Sequence, residues 1–224
     1  MPGRKFPLIT GERYHVFNRG IDKRIIFMTK SEYQRAIDCL SYYQFASPPM
    51  KFSKYQTLQE VRKSDILAQF QSRSNKLVDI YAFCLMPNHF HFLLTQLREN
   101  GIAKFMANFQ NSYTRYFNIK HDRIGSLLLD QFKGVQIETD EQFIHVSRYI
   151  HLNPVTAYIV KKFIDLYDYP WSSYPEYLKI NERNIVNVEP VLSLFKNQLA
   201  YEGFLADQVD YQRALGEIKG LMLE

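Results

Sequence analysis

Hydrophobic and polar positions follow two periods along this chain, and the order of the periods predicts its fold. Runs of β-branched and aromatic residues predict four strands, over 14–20, 77–86, 89–96 and 127–138. Apolar positions at helical spacing predict helices after the first, third and fourth strands. This order is that of a split βαβ unit, so we predict an α+β fold, a ferredoxin-like sandwich with an antiparallel sheet and additional C-terminal helices.

Residues that cap helix N-termini, together with prolines, predict where the helices begin and end. The predicted caps are Ser31 with Gln34, Asn100 before a helix over 101–120, and Thr139 with Gln142. Paired prolines end the first helix, and a weaker helical pattern covers 58–70.

The composition indicates one sizeable core. The chain has 224 residues, of which 46% are hydrophobic, and we predict a main domain over 1–178 with a C-terminal helical extension over 179–224. The net charge of +5 is compatible with a polyanionic partner. Two cysteines make no disulfide framework, and no apolar run approaches the ~18 residues of a membrane span, so we expect a cytoplasmic protein without a membrane partner.

Two histidines stand in an otherwise apolar strand, in the string MPNHFHFLL. On a strand, residues two apart point to the same face, so His89 and His91 project together while Phe90 and Phe92 point to the other face. Two imidazoles on one face can chelate one ion. From these residues alone, histidines that merely bond to backbone groups remain an alternative.

A second group of chemically useful residues lies in RYIHLNP, over 148–154. On a helix, residues four apart are neighbours, so Tyr149 and Asn153 share a face, while His151 points elsewhere. Pro154 predicts a kink or break at Asn153. A helix end with a buried tyrosine is the alternative interpretation.

Five strings occur in order over 86–174 and together resemble one family, in a match that runs from about residue 14 to residue 174. They are MPNHFHFLL, SYTRYFN, GSLLLDQFKG, RYIHLNPVTAYIV and YPWSSY. This combination resembles the REP-associated tyrosine transposases, which are single-tyrosine HUH transposases of the IS200-like superfamily. The resemblance implies that His89 and His91 bind a divalent metal, Mg²⁺ or Mn²⁺, that Asn153 is the third ligand and that Tyr149 is the nucleophile.

The resemblance also implies an activity and partners. The enzyme would cleave and transfer strands of single-stranded or hairpin DNA, with a palindromic repeat as its target, through a 5′-phosphotyrosine intermediate. It would act in the cytoplasm at the nucleoid. A homodimer is compatible with the family, and the sequence leaves open whether Tyr149 meets the histidines of its own chain or of a partner.

The sequence departs from the family in two places, by an apparent insertion over residues 47–62 and by a change after GSL. Many relatives have an aromatic-Gln-Gly-Arg-Phe string where this chain has Leu-Leu-Asp-Gln-Phe over 128–132. This change puts in doubt a DNA contact made by that string, but it leaves the proposed metal and nucleophile positions intact. We predict DNA contacts at Asn18, Arg19, Arg115 and Lys120, with solvated surface charge as the alternative.

Two other functions remain open at this point. One is a DNA-binding regulator that recognises a sequence or hairpin on the same fold without cleaving it. The other is a metallohydrolase or oxygenase that combines the His-x-His pair with a carboxylate, which this hairpin does not offer.

Overall fold

The computed structural model describes residues 7–70, 75–181 and 183–209. Its strands are β1 (Arg13–Arg19), β2 (Val78–Met86), β3 (His89–Gln96) and β4 (Lys133–Ile137). Its α-helices are α1 (Lys30–Tyr43), α2 (Phe52–Gln56), α3 (Glu60–Phe70), α4 (Gly101–Lys120), α5 (Asp140–Thr156), α6 (Tyr174–Tyr177), α7 (Glu189–Leu192) and α8 (Gln198–Ala206). Short 3₁₀ helices cover Ile21–Lys23 and Phe163–Leu166.

The four strands form one sheet in the order β2-β3-β1-β4. Each pair of neighbours is antiparallel, and β2 and β3 form a hairpin that turns at Pro87 and Asn88. This order, with α1 after β1 and α4 after β3, is that of the split βαβ unit, so the predicted ferredoxin-like α+β fold is confirmed.

The sheet is covered on both faces at β2 and β3, because these two strands carry buried, mostly apolar side chains in both directions. Helices α1 and α4 pack on the first face, where Phe92 of β3 lies 5.9 Å from Phe105 and 5.4 Å from Phe109 between ring centroids. Helix α5 packs on the second face against β2 and β3. Within the described residues, no helix is both long and apolar enough to cross a membrane.

The additional C-terminal helices anchor α5 through a buried hydrogen-bond network. The hydroxyl of Tyr201, in α8, lies 3.1 Å from Ser147 Oγ and 2.7 Å from His151 Nδ1. The other ring nitrogen of His151 lies 2.7 Å from Ser173 Oγ, and the N–H of Phe83 in β2 donates to that same oxygen at 2.9 Å. The network therefore connects α8, α5 and the edge of the sheet.

The predicted C-terminal extension is only partly described, since residues 182 and 210–224 lie outside the described ranges. In the described part, α7 and α8 contact α5. The boundary at residue 178 stays a prediction. The predicted insertion over 47–62 contains α2 and the start of α3, and Phe52 and Tyr55 of α2 pack on Tyr42 of α1.

The predicted cap of α1 is wrong by two positions. Thr29 is the N-cap, and the Glu32 carboxylate accepts hydrogen bonds from the N–H groups of Met28 and Thr29 at 2.6 and 3.2 Å. A charged carboxylate is a stronger acceptor for free N–H groups at a helix start than the amide of Gln34, which instead donates to Asp38.

Asn100 precedes α4 as predicted, but it does not cap the helix with its side chain. Its backbone is left-handed, with φ 56°, and the N–H of Ile102 is accepted by Gln96 Oε1 at 3.2 Å instead. Strand β4 is shorter than predicted, because Leu127 and Leu128 turn into the core on the first face.

Of the predicted kink or break at Asn153, the break does not occur. Helix α5 continues through Pro154 and ends at Thr156. Pro154 lies in the last turn of α5, so only a few helical hydrogen bonds follow it. The Asn153 carbonyl still accepts the N–H of Ala157 at 2.9 Å. The cap at Thr139 forms as predicted, since its side chain accepts the N–H of Gln142 at 3.1 Å.

Candidate active site

Three histidines lie together on the second face of the sheet. In the pairing of β1 with β3, Phe17 is opposite His91 and His15 is opposite Leu93, so alternate residues of both strands share this face. The ring of His91 has its centroid 5.1 Å from that of His15 and 5.1 Å from that of His89. Phe90 points to the first face, where it packs on α4, as the strand alternation predicts.

One nitrogen of each β3 histidine has a hydrogen-bond partner. Nδ1 of His89 donates to Oδ1 of Asn88 at 2.6 Å. Nδ1 of His91 lies 2.9 Å from Nε2 of His15, and the two rings share this hydrogen bond. These bonds fix the orientations of both β3 rings.

Burial keeps the three imidazoles neutral. It lowers the pKa of His15 and of His89 to about 4, and the charge of Arg19 adds to the effect at His89. The pKa of His91 lies well below its usual value for the same reason, with further contributions from His15 and His89. Neutral imidazole is the form that binds metals.

Helix α5 brings Tyr149 to these histidines. The Tyr149 ring lies 5.4 Å from that of His91 and 5.8 Å from that of His15, edge-on in both cases. The residue is 37% exposed, so an external molecule can reach it. Burial of the phenol raises the pKa of Tyr149, and a hydrogen bond with the Asn153 side chain offsets part of this rise. Tyr149 is therefore protonated at neutral pH and needs an activating group to attack.

Asn153 lies beside Tyr149 as the helical spacing predicts. Its Nδ2 donates to the Tyr149 carbonyl at 2.9 Å, and the residue is buried. His151, as expected, faces away from this group and into the network with Tyr201 and Ser173.

The donors available for a metal are imidazole nitrogens and an amide oxygen. Within the described residues, no three side chains of histidine, cysteine, aspartate or glutamate are placed to hold one ion. His89 and His91, together with Asn153 beside Tyr149 on α5, supply donor types that fit Mg²⁺ or Mn²⁺ with open positions. Cys84 is opposite His91 in the β2–β3 register, but burial raises the pKa of its thiol, so it is not an alternative nucleophile.

The residues predicted to contact DNA are in different places. Arg19 is exposed and is opposite His89 in the sheet, and Lys133 of β4 is exposed opposite Phe17, on the same face. Asn18 is buried and donates to the Leu129 carbonyl at 2.9 Å.

The other two predicted contacts lie on α4, which covers the first face of the sheet. Arg115 is exposed there, whereas Lys120 pairs with the Glu32 carboxylate at 2.8 Å and donates to the hydroxyls of Thr29 and Ser31. The structure thus brings Arg19, but neither Arg115 nor Lys120, to the face that carries the histidines.

Sequence reasoning missed His15, Asn88 and Lys133. The signal for His15 is the alternation of β1, in which 13, 15, 17 and 19 share a face. It becomes informative only once β1 is placed next to β3, as the split βαβ order requires.

Two comparisons with known proteins find similarity to this chain. The family model described as Transposase IS200 like matches residues 52–153, a range that contains His89, His91, Tyr149 and Asn153. A solved structure of a REP-associated tyrosine transposase bound to a REP hairpin is similar to this chain with a TM-score of 0.54. The match covers 84% of this chain and 90% of that chain at 16% sequence identity, and it shows the shared fold. No curated protein matches the chain in sequence.

Proposed function

We propose that this chain, whose residues 52–153 match the family model described as Transposase IS200 like, cleaves and transfers single DNA strands with Tyr149 as its nucleophile. The observation that carries the proposal is the position of Tyr149, partly exposed and with its ring 5.4 Å from that of His91. Among the alternatives, the metallohydrolase has no support. The sheet is open, and in the described residues no carboxylate joins the two histidines as a third ligand.

The reaction exchanges one phosphodiester for another. Tyr149 Oη attacks the scissile phosphorus in line, and the bond from phosphorus to the DNA 3′-oxygen breaks. The phenol loses one proton in this step, and the departing 3′-oxygen takes up one proton to become a hydroxyl. The product is a 5′-phosphotyrosine, whose energy allows a later 3′-hydroxyl to reverse the step on another strand. No water or ATP is consumed.

The chain's own residues prepare this step. His89, His91 and Asn153 would hold Mg²⁺ or Mn²⁺, which supplies positive charge to polarise the scissile phosphate. Burial keeps the two imidazoles neutral for that purpose. The position of Tyr149 beside His91 of the same chain supports a site that forms within one protomer and does not require a homodimer for chemistry.

The substrate we propose is single-stranded or hairpin DNA with a palindromic repeat, encountered in the cytoplasm at the nucleoid. The similar solved structure was determined with a REP hairpin, and the two folds agree. Arg19 and Lys133 give the face that carries the histidines two exposed cations for phosphates. Single strands present a flexible backbone that can bend into the site.

A covalent adduct tests the proposal. Because the recognised sequence is unknown, the probe is a pool of 3′-labelled stem-loop oligonucleotides with randomised single-stranded flanks, incubated with Mn²⁺ and analysed on denaturing gels. The wild type should yield labelled protein, and Tyr149→Phe, which removes only the hydroxyl, should yield none. Tyr116→Phe, a partly buried tyrosine on α4, is the matched control and should retain the adduct.

Two outcomes would contradict the proposal. An adduct that persists in Tyr149→Phe moves the nucleophile to another residue. Tight binding of the stem-loop pool without any adduct in the wild type supports the other candidate function, a hairpin-binding regulator that does not cleave.

A further inference from the structure

In both β3 histidines, Nδ1 forms a hydrogen bond with a side chain close to it in space. The proposed reaction alone does not explain this shared feature. For His89 the direction of this bond is fixed. Asn88 Nδ2 donates to the Lys23 carbonyl at 3.3 Å, so Asn88 Oδ1 is the atom facing His89, and a carbonyl oxygen can only accept. His89 is therefore protonated on Nδ1, and in the neutral ring Nε2 has a free lone pair.

For His91 the partner is another histidine. His15 comes from β1, far away in sequence, and its Nε2 lies 2.9 Å from Nδ1 of His91, with the rings stacked at 25°. His91 is only 6% exposed, so in the folded protein this bond has little competition from water. If His91 donates and His15 accepts, Nε2 of His91 is also free, as it is in His89.

We propose that His15 and Asn88 are positioning residues that hold His91 and His89 in the Nδ1–H tautomer, so that both rings present Nε2 to the same ion. The inference rests on the proposed function for the identity of that ion. A histidine that ligates a metal commonly donates its other N–H to a neighbour, and loss of such a partner typically costs about 10–100-fold in metal affinity. Most partners of this kind are carboxylates, carbonyls or water, whereas His15 supplies a neutral nitrogen acceptor.

The choice of a second imidazole has a physical consequence. A carboxylate at position 15 would add a negative charge beneath the site, next to the phosphate that Tyr149 must attack. The neutral His15 ring fixes the tautomer of His91 without that repulsion. It also packs against the Tyr149 ring at 5.8 Å, so one side chain orients the ligand and supports the nucleophile.

Two variants of His15 separate its hydrogen bond with His91 from the packing of its ring. In His15→Gln the side-chain oxygen can accept the His91 proton, whereas in His15→Phe the ring volume remains but the acceptor is lost. Long-range ¹H–¹⁵N NMR of the metal-free protein reports the tautomer of His91, and calorimetry reports Mn²⁺ affinity. We expect Nδ1–H in the wild type and His15→Gln, loss of that tautomer in His15→Phe, and ~10–100-fold weaker Mn²⁺ binding in His15→Phe alone.

Asn88 is tested in parallel. Asn88→Asp keeps an oxygen acceptor for His89, and Asn88→Ala removes it. The tautomer of His89 should survive the first change and be lost in the second.

Three results would overturn the inference. They are an Nε2–H tautomer for His91 in the wild type, unchanged Mn²⁺ affinity in His15→Phe, and pulsed EPR of the Mn²⁺ complex showing three coordinated imidazoles, which would make His15 a ligand. The wild-type tautomer decides the question even if His15→Phe does not fold. None of these measurements uses DNA, so failure of the cleavage proposal through Tyr149 would leave them informative.

Discussion

Two neighbouring histidines bind a cation only if both rings are neutral and their lone pairs converge. Burial of His89 and His91 meets the first condition, because it lowers both pKa values. The strand alternation meets the second, since residues two apart point to the same face. The same burial has a cost, because the lone pairs would lack a partner if no ion or water reached them.

Replacing both histidines tests this site directly. We expect the double variant His89→Ala and His91→Ala to fold but to lose Mn²⁺ binding, because one amide oxygen cannot retain a hard ion alone. Calorimetry measures the affinity, and circular dichroism checks the fold. His145→Ala is the control, since its exposed ring lies on α5 outside the cluster of three histidines. Unchanged Mn²⁺ affinity in the double variant would show that the ion binds elsewhere.

The sequence predicts those site residues whose relative positions follow from their spacing within one strand or one helix. The positions of His89 with His91, and of Tyr149 with Asn153, follow from strand and helix periods. His15 was missed because its contact with His91 depends on the register of β1 against β3, and this register cannot be predicted from the residues of either strand alone. Asn18 was assigned to DNA because it lies in a basic segment, but the pleat turns its side chain into the protein, where it bonds to Leu129.

At the scale of single elements, the junction of α1 and α4 depends on one buried carboxylate. Burial alone would raise the pKa of Glu32, but hydrogen bonds from Lys120, the Met28 N–H, His121 and the Thr29 N–H lower it to about 2. The start of α1 and the end of α4 are thereby joined through a charged group that is inaccessible to water.

This junction predicts an acid sensitivity. Between pH 4.5, the ordinary value of a glutamate, and about 2, the unfolded chain binds a proton that the folded protein does not, so stability falls with falling pH. We expect Glu32→Gln to lower the free energy of unfolding at pH 7 by roughly 1.5–3 kcal/mol, and the difference from wild type to shrink below pH 4.5. Urea denaturation at pH 7, 5 and 3 measures this. A difference that is constant with pH would contradict the assignment.

The attachment of α8 to α5 makes a second prediction at this scale. Tyr201→Phe leaves the buried polar groups of Ser147 and His151 without their shared partner, which should cost about 1–3 kcal/mol in the free energy of unfolding. Urea denaturation of Tyr201→Phe, Ser147→Ala and the double variant gives the coupling energy between the two residues. Strictly additive effects would show that the hydrogen bond contributes nothing.

Element boundaries were predicted best where the apolar period is strong and uninterrupted. Helix α4 and strand β3 begin and end where the sequence predicts. The cap of α1 was misplaced because Ser31 and Thr29 both precede suitable partners, and the choice of Glu32 depends on Lys120 and His121 from a distant helix. Helix α2 was not predicted because it is short and is stabilised by aromatic contacts with α1 rather than by its own periodicity.

At the scale of the whole molecule, the charge and the shape favour one form of DNA. The net charge is +5, and the exposed Arg19 and Lys133 lie beside the site on one face of the sheet. Helix α5 packs on β2 and β3 of that face, so the phosphate must approach through the space beside the helix, over β1 and β4. A flexible single strand can adapt to such a space more easily than a stiff duplex.

We therefore expect adduct formation on a stem-loop pool with single-stranded flanks to exceed that on the same flanks made fully duplex by at least about tenfold. Phosphate contacts release counterions, so binding should weaken steeply between 50 and 200 mM salt, while an Arg19→Gln variant should show a shallower salt slope. Adduct yield on denaturing gels and fluorescence anisotropy measure the two effects. Equal yields from both DNA forms would contradict this picture of the site.

The hydrogen bonds of Tyr201 also set when the protein acquires its chemistry during synthesis. Tyr201 follows His151, its partner on α5, by 50 residues, so the histidines of β1 and β3 leave the ribosome long before α5 can be fixed in place. At ~5–20 residues per second, the 50 residues from His151 to Tyr201 alone take roughly 3–10 s. A nascent or prematurely terminated chain would carry the proposed metal ligands of β3 without a firmly held Tyr149, so the proposed nucleophile would be in place only after the complete fold had formed.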